Sequence, residues 1–504
     1  MTSFTDLFDL ASERLGGSVI FANDEFFAEK ENLLRPHAAV FREHEYTDRG
    51  KWMDGWETRR KRVPGHDYCL VRLGVPGVIH GVVVDTAFFR GNFPESCSIE
   101  ATFARPDASP EALLAPSMPW VEILGRSKLA GDSKNLFAVT SPHRFSHLRL
   151  NIFPDGGVAR LRVHGAVVPD LPRASAGSVE IDVAAAESGA QVLACSDMFF
   201  GVRHNLIMPG RALTMGDGWE TKRRRGPGFD WALVVLAAES VIRRVEVDTN
   251  HFKGNYPDTC MIEGARLSPG RDPLAPEVTW QELLPRTKLQ PHTRHFFEDE
   301  LAHHGPFSHV RLNIYPDGGV SRLRLFGTPS AEGRKHARLQ RLNALSPAEA
   351  HAELLACCGS PVWAARMAEA RPFANEEHLL RVGEEVAASL EPGDWLTAFR
   401  AHPRIGERKA ETPQGNTEKQ WSRDEQAGIE AADAALRVAL ADANTRYDKK
   451  FGHIFIVCAT GKSAAEMLAL LEQRIANDPA HEGLVAAGEQ RKITAIRLSK
   501  LLTA

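Results

Sequence analysis

Phe145-Ser146-His147-Leu148-Arg149-Leu150-Asn151-Ile152-Phe153-Pro154-Asp155-Gly156-Gly157 is the stretch that decides the fold of this chain. Leu148, Leu150 and Ile152 alternate with Arg149 and Asn151, the two-residue period of a strand with one apolar face. Pro154-Asp155-Gly156-Gly157 supplies turn chemistry and alternation resumes in Val158–Val163, so the stretch reads as a β-hairpin. It is also written twice: Phe145–Asn151 returns as Phe307–Asn313, displaced by 162 positions. Met53-Asp54-Gly55-Trp56-Glu57-Thr58-Arg59-Arg60 returns as Gly216–Arg223, and Val84–Glu100 returns as Val247–Glu263, both displaced by 163. So long a displacement means two domain-sized copies, since solenoid units run ~20 to 50 residues. The copies share polar residues in register, where packing alone would ask only for apolar pattern. Each copy therefore carries a site, or the two together frame one.

Outward from the duplication, short strands with frequent Gly and Pro predict two all-β sandwiches, at 1–165 and 193–330. A Pro/Ala/Ser-rich stretch, 166–192, reads as the linker between them, and the polar, basic stretch 331–345 as a second linker. Ser346-Pro347-Ala348-Glu349 is a capping box with proline at the first helical position, opening an all-α domain at 346–504. A second capping box, Ser422 with Glu425, opens a long helix expected to end near Gly452. Met467, Leu470, Leu471 and Ile475 again keep helical spacing. The predicted architecture is multidomain: two tandem β-sandwiches followed by a helical domain.

Over 504 residues the formal net charge is only −4, which argues against a nucleic-acid-coating protein. Seven cysteines, an odd number without a CxxC pair, read neither as a disulfide framework nor as a zinc site. Cys97 and Cys260 are repeat equivalents, read as filling the same core niche twice. The opening residues lack a basic stretch followed by an apolar run, and no segment reaches membrane-spanning length. Ser499-Lys500-Leu501 is followed by three residues and is not read as a peroxisomal address. A reducing cytoplasm is the expected location.

In the helical region the sharpest string is Ala401-His402-Pro403-Arg404-Ile405-Gly406. A histidine before proline is pushed toward extended backbone, and its ring exchanges protons near neutrality; the plain alternative is a loop histidine beside a turn. Glu425 has its own plain reading as a cap on Ser422, which leaves Gln426 unexplained. With Arg371-Pro372-Phe373, Phe451-Gly452-His453-Ile454-Phe455 and Ile493-x-x-x-Arg497-Leu498, these strings resemble the 2-oxo-4-hydroxy-4-carboxy-5-ureidoimidazoline (OHCU) decarboxylase family across nearly all of 340–504. The resemblance implies decarboxylation of OHCU to (S)-allantoin, with His402, Glu425 and Arg497 catalytic. It implies substrate binding by Pro403, Ser422, Gln426 and the Phe455-Ile456-Val457-Cys458-Ala459 backbone. Departures are a long polar loop from Glu407 to Gln420, and Ile454 where relatives often have proline. Losing CO2 leaves a carbanion that the substrate's own ring delocalises, so no cofactor is expected.

The paired DGWET(R/K)R, VDT-x-x-F-(R/K)-GN-(F/Y)-P and FSH-(L/V)-RLNI-(F/Y)-PDGGV strings resemble allantoicase over roughly 17–330, internal duplication included. That resemblance implies jelly-roll sandwiches, hydrolysis of allantoate to ureidoglycolate and urea, and assembly as a homo-oligomer. The two activities are related, because the decarboxylation product becomes allantoate after one ring-opening hydrolysis that a separate enzyme must supply. Small ureides are thus the expected partners, with no nucleic acid and no membrane.

Allantoate offers a carboxylate and two ureido groups, so its site needs a guanidinium, acceptors for N–H donors, an acid for the leaving urea, and a base or metal to activate water. The paired candidates are Asp85/Asp248, Asn92/Asn255, Glu100/Glu263, His147/His309, Arg149/Arg311 and Asn151/Asn313. His-x-Arg-x-Asn at alternate strand positions puts all three on one face, which packing does not explain. Against this, Asp54-Gly55 and Asp155-Gly156 read as turns, Arg149 and Arg311 as solvated strand faces, and Trp56 and Trp219 as core. The His/Asp/Glu supply leaves a divalent metal open, though no tight ligand motif marks one. Two other readings stay in play: non-catalytic ligand-binding sandwiches beside a decarboxylase, and polyanion binding by Arg59-Arg60-Lys61-Arg62 and Lys222-Arg223-Arg224-Arg225.

Overall fold

A computed structural model describes residues 3–170, 179–402 and 434–503. Contacts divide the chain into two compact units, 1–344 and 345–504.

Each repeat is built around one strand of 19 residues, Asp67–Asp85 in the first and Asp230–Asp248 in the second. In the first repeat the early part of this strand pairs with Ser18–Ala22 and Arg144–Phe153; its later part pairs with Arg160–Val167 and Lys134–Ala138. Arg144–Phe153 in turn pairs with Ser96–Thr102, which pairs with Val121–Lys128. One long strand thus belongs to both layers of the sandwich. Leu148, Leu150, Ile152, Leu161, Val163 and Trp56 are fully buried between the layers. The second repeat reproduces this order strand for strand.

The expected hairpin does not form. Arg144–Phe153 and Arg160–Val167 flank opposite sides of the long strand and never pair with each other. Pro154–Gly157 instead carries the chain between layers, and Gly157–Val158 pairs with Trp56–Glu57. Gly156 has φ +138°, and a Cβ there would lie 2.8 Å from the Asn92 carbonyl oxygen. Gly157 N–H donates to that same oxygen at 2.7 Å, and Gly319 repeats the bond to Asn255 at 2.8 Å. The glycines serve close approach to the Gly-Asn-(Phe/Tyr)-Pro segment, which explains why the two motifs recur together.

Two boundaries shift. Residues 181–192, read as linker, hold Ile181–Asp182 and the start of Gln191–Cys195, both paired into the second sheet. Residues 331–344 form a helix, Ala331–Ala344, with Leu339 and Leu342 buried and Arg341 paired to Asp170. Polar composition hid an apolar stripe of helical spacing. The repeats share one continuous core, and Phe8 of the first packs on His204 of the second with ring centroids 4.5 Å apart.

The second unit is helical: Pro347–Cys358, Pro361–Glu369, Glu376–Ala388, Pro392–Arg400, Ala434–Phe451, Ala464–Ile475 and Pro479–Thr503. The Ser346/Glu349 capping box forms as expected. The long helix ends at Gly452, whose φ of +73° suits a helix stop; its expected start at Ser422 lies outside the described residues.

Candidate functional sites

On Arg144–Phe153, alternation sends Leu148, Leu150 and Ile152 into the core and leaves His147, Arg149 and Asn151 on the opposite face, as the spacing predicts. The neighbouring strand places Glu100 opposite Arg149 and Ser98 opposite Asn151. Arg149 donates through Nε to Glu100 Oε2 at 2.7 Å; Asn151 Nδ2 donates to the same oxygen at 3.0 Å and to Ser98 Oγ at 3.2 Å. The Arg149 guanidinium lies 5.1 Å from the centre of the Trp120 ring. In the second repeat Arg311 donates to Glu263 Oε2 at 2.7 Å, Asn313 Nδ2 to the same oxygen at 2.7 Å, and Arg311 lies 4.7 Å from Trp280. Both clusters load one carboxylate oxygen and leave Oε1 as an acceptor. Both also carry a second arginine on the aromatic end of the strand, Arg126 over Phe153 and Arg286 over Tyr315.

The remaining candidates bond elsewhere. His147 is buried, and its Nδ1 meets Ser146 Oγ at 2.9 Å; that hydroxyl also accepts from Ala104 N–H at 2.9 Å. Burial, then the charge of Arg72, pushes the His147 ring down to about 4, so it is neutral at pH 7. His309 repeats the contact with Ser308 at 2.9 Å, and burial lowers its pKa. Each histidine thus meets the serine that holds the Ala104 or Leu267 amide. Asp85 and Asp248 cap the turns that follow them, accepting from Ala87 N–H at 2.9 Å and Asn250 N–H at 2.8 Å. Asn92 and Asn255 donate to Glu57 and Glu220, at 2.7 and 2.5 Å. Trp56 and Trp219 are fully buried core, as their plain reading held. Asp54 is more than a turn residue: it is buried against Arg160 at 2.8 Å, and although burial raises its carboxyl, the Arg160 hydrogen bond and others hold it below its ordinary value.

In the helical unit, His402 follows Pro392–Arg400 and its N–H donates to the Phe399 carbonyl at 3.1 Å. Arg497 is buried on Pro479–Thr503. Pro403, Ser422, Glu425 and Gln426 lie outside the described residues. The extended Phe455–Ala459 segment is held by three side chains: Arg474 Nη1 donates to the Ile456 carbonyl, Lys462 Nζ to the Cys458 carbonyl, and Glu489 Oε2 accepts from Cys458 N–H, each at 2.7 Å.

The allantoicase repeat model matches residues 8–168 and 181–330, more than half of the chain. The chain belongs to the allantoicase family. The OHCU decarboxylase model matches residues 343–499, so both enzyme families are present in one polypeptide. A probable allantoicase of Burkholderia pseudomallei is 50% identical over 321 residues, covering 63% of this chain and 94% of that one. The solved allantoicase of Saccharomyces cerevisiae is 36% identical with a TM-score of 0.53, covering 64% of this chain and 92% of that one. A solved OHCU decarboxylase is 36% identical with a TM-score of 0.27, covering 30% of this chain and 99% of that one.

Within the allantoicase repeats, only Glu100, Arg149 and Asn151, with Glu263, Arg311 and Asn313, come together from the sequence candidates. Trp120, Trp280, Arg126 and Arg286, and His66, whose Nε2 lies 3.3 Å from Asn151 Oδ1, stand at these clusters and were missed. The paired Trp-x-x-x-x-x-Arg strings, Trp120 to Arg126 and Trp280 to Arg286, were a signal available in the repeat register. Among the described residues no group of three or more His, Cys, Asp or Glu is arranged to hold a metal ion. In each cluster a guanidinium already occupies the carboxylate, so these residues do not fit a cation. All seven cysteines are free, and burial pushes Cys97 and Cys260 up to about 12, in keeping with core filling.

Proposed function

We propose that the Glu-Arg-Asn-Trp clusters are the ureide sites of the allantoicase half, acting in the hydrolysis of allantoate to ureidoglycolate and urea. The observation that carries this is the same cluster built twice on equivalent strand faces. Arg149 and Arg311 offer a charge and a fork of donors for the substrate carboxylate; Glu100 and Glu263 offer Oε1 to ureido N–H groups; the indole rings provide a flat wall for a planar ureido group. The helical half decarboxylates OHCU to (S)-allantoin without a cofactor, with Arg497 stabilising the anion and His402, aligned by Glu425, delivering the proton. A homo-oligomer in the cytoplasm, without nucleic-acid or membrane partners, completes the reading. Against a polyanion-binding face, Arg59 pairs with Asp24 at 2.6 Å, Lys222 with Asp197 at 3.6 Å, and Lys61 and Arg224 with Asp67 and Asp230.

The test is urea release from allantoate by the purified chain, with and without chelation. Release in both samples, with about a hundredfold loss in the joint Glu100→Gln, Glu263→Gln variant, is expected. No urea from the parent chain would make the repeats ligand-binding modules. Loss on chelation with recovery on a divalent ion would overturn the metal-free reading.

A further inference from the structure

The two clusters differ at three positions, His66/Phe229, Ser98/Met261 and Phe153/Tyr315, and the first of these follows the same left-handed glycine in both. Pro64-Gly65-His66-Asp67 corresponds to Pro227-Gly228-Phe229-Asp230, with φ of +135° at Gly65 and +125° at Gly228. His66 Nε2 lies 3.3 Å from Asn151 Oδ1, and its ring packs on Phe153 with centroids 4.7 Å apart. Phe229 packs on Tyr315 in the same way, with centroids 5.0 Å apart, and has no polar atom to offer. Asn313 Oδ1 is consequently buried without a hydrogen-bond partner.

The amide of Asn151 fixes the state of the His66 ring. Its Nδ2 is committed to Glu100 and Ser98, so Oδ1 is the atom that faces His66, and an amide oxygen only accepts. Nε2 must therefore carry a hydrogen, and proton exchange falls to Nδ1, which makes no hydrogen bond among the described residues. The groups around the ring are Tyr68 on the long strand, Phe153 with Arg126 above it, and the Arg149–Glu100 pair behind Asn151. Glu100, Asn151 and His66 form a relay in which the carboxylate orients the amide and the amide selects the tautomer.

We propose that His66 is the proton-transfer residue of the allantoicase reaction, so that the first repeat carries the chemistry and the second binds ureide without turning it over. This rests on the Glu-Arg-Asn-Trp clusters being the ureide sites. The bond between the central carbon of allantoate and one ureido nitrogen breaks with its electron pair on nitrogen, and Nδ1–H of the protonated ring supplies the proton that completes urea. Water adds its oxygen to the same carbon and returns its surplus proton to Nδ1. The ring ends as it began, and one water is consumed. The second cluster has Phe229 in place of the imidazole, its Asn313 oxygen is buried, and its one phenol, Tyr315, donates to Met261 Sδ at 3.7 Å with its pKa raised by burial.

The experiment measures urea release by full-length His66→Phe, which copies the second repeat, by His66→Gln, and by Glu100→Gln and Glu263→Gln singly, with far-ultraviolet circular dichroism to confirm folding. Both His66 variants are expected to lose about a hundredfold in kcat with KM changed less than about threefold, as for removal of a general acid–base. Full activity in both His66 variants with loss in Glu100→Gln would overturn the role of His66 and leave the sites standing. Full activity in all four would overturn the sites themselves. A larger kcat loss in Glu263→Gln than in Glu100→Gln would overturn the assignment of chemistry to the first repeat.

Discussion

Replacing Glu482 by alanine should destabilise the helical unit. Glu482 is wholly buried and accepts from Arg474 Nε at 2.8 Å and Nη2 at 2.5 Å, from Asn477 Nδ2 at 2.6 Å, and from the Tyr447 hydroxyl. Arg474 is itself nearly inaccessible, and its remaining donor holds the Ile456 carbonyl. Charge centres about 4 Å apart at an effective dielectric near 20 attract by about 4 kcal/mol. Removing the carboxylate leaves the buried guanidinium without its counter-charge, so a loss of about 3–5 kcal/mol is expected. For a unit of this size that lowers the melting temperature by about 10 °C. The assay is thermal unfolding followed at 222 nm, where this unit dominates the helical signal. Glu482→Gln keeps the shape and one acceptor oxygen, and should recover part of the loss. The reasoning fails if Glu482→Ala unfolds within about 1 kcal/mol of the parent chain, well below the cost of breaking a buried pair.

Two pH-linked predictions come from the repeats. Asp182 accepts from Leu325 N–H at 3.0 Å, and burial pushes its carboxyl up to about 6 against the pull of Arg324. The folded state holds this proton longer than the unfolded chain, so its contribution favours folding at low pH and is lost as pH rises from near 4 through 6. Asp182→Asn should remove roughly 2–3 kcal/mol of the total change in unfolding free energy across that window, and an unchanged pH dependence refutes it. His147, held near 4 in the folded state, acts in the opposite sense: its contribution is present above its unfolded value of 6.5 and is lost as pH falls toward 4. Its ring resonances should stay those of neutral imidazole at pH 5.5, and titration near 6.5 would refute the burial argument.

The fold was legible where periodicity met an apolar face. Leu148, Leu150 and Ile152 announced a strand, and the duplicated strings announced a second copy of it. The strand partner was not legible, because Pro154-Asp155-Gly156-Gly157 carries the residues of a tight turn whether the chain doubles back or crosses to another layer. The packing of Gly156 against Asn92 and the pairing of Gly157–Val158 with Trp56–Glu57 distinguish the two, and both join segments far apart in sequence. The Ala331–Ala344 helix was missed for a related reason: its polar residues dominate the composition, while its burial rests on a few positions such as Leu339 and Leu342.

The candidate site was legible in part: the alternation rule placed Arg149 and Asn151 together, while His147, grouped with them, is buried against Ser146. Counting shared residues favours what both copies keep, which is binding and support: Glu-Arg-Asn, the Ser-His contact, the Asp-capped turns. Duplication then frees one copy to depart from the other, and the departure is invisible to a search for identity. Position 66 is such a departure, a histidine facing a fixed amide oxygen where the second copy has phenylalanine and an oxygen left unpaired. In this chain the residues that match locate the clusters, and among the positions where the copies differ, 66 is the one that sets an imidazole against the Asn151 amide.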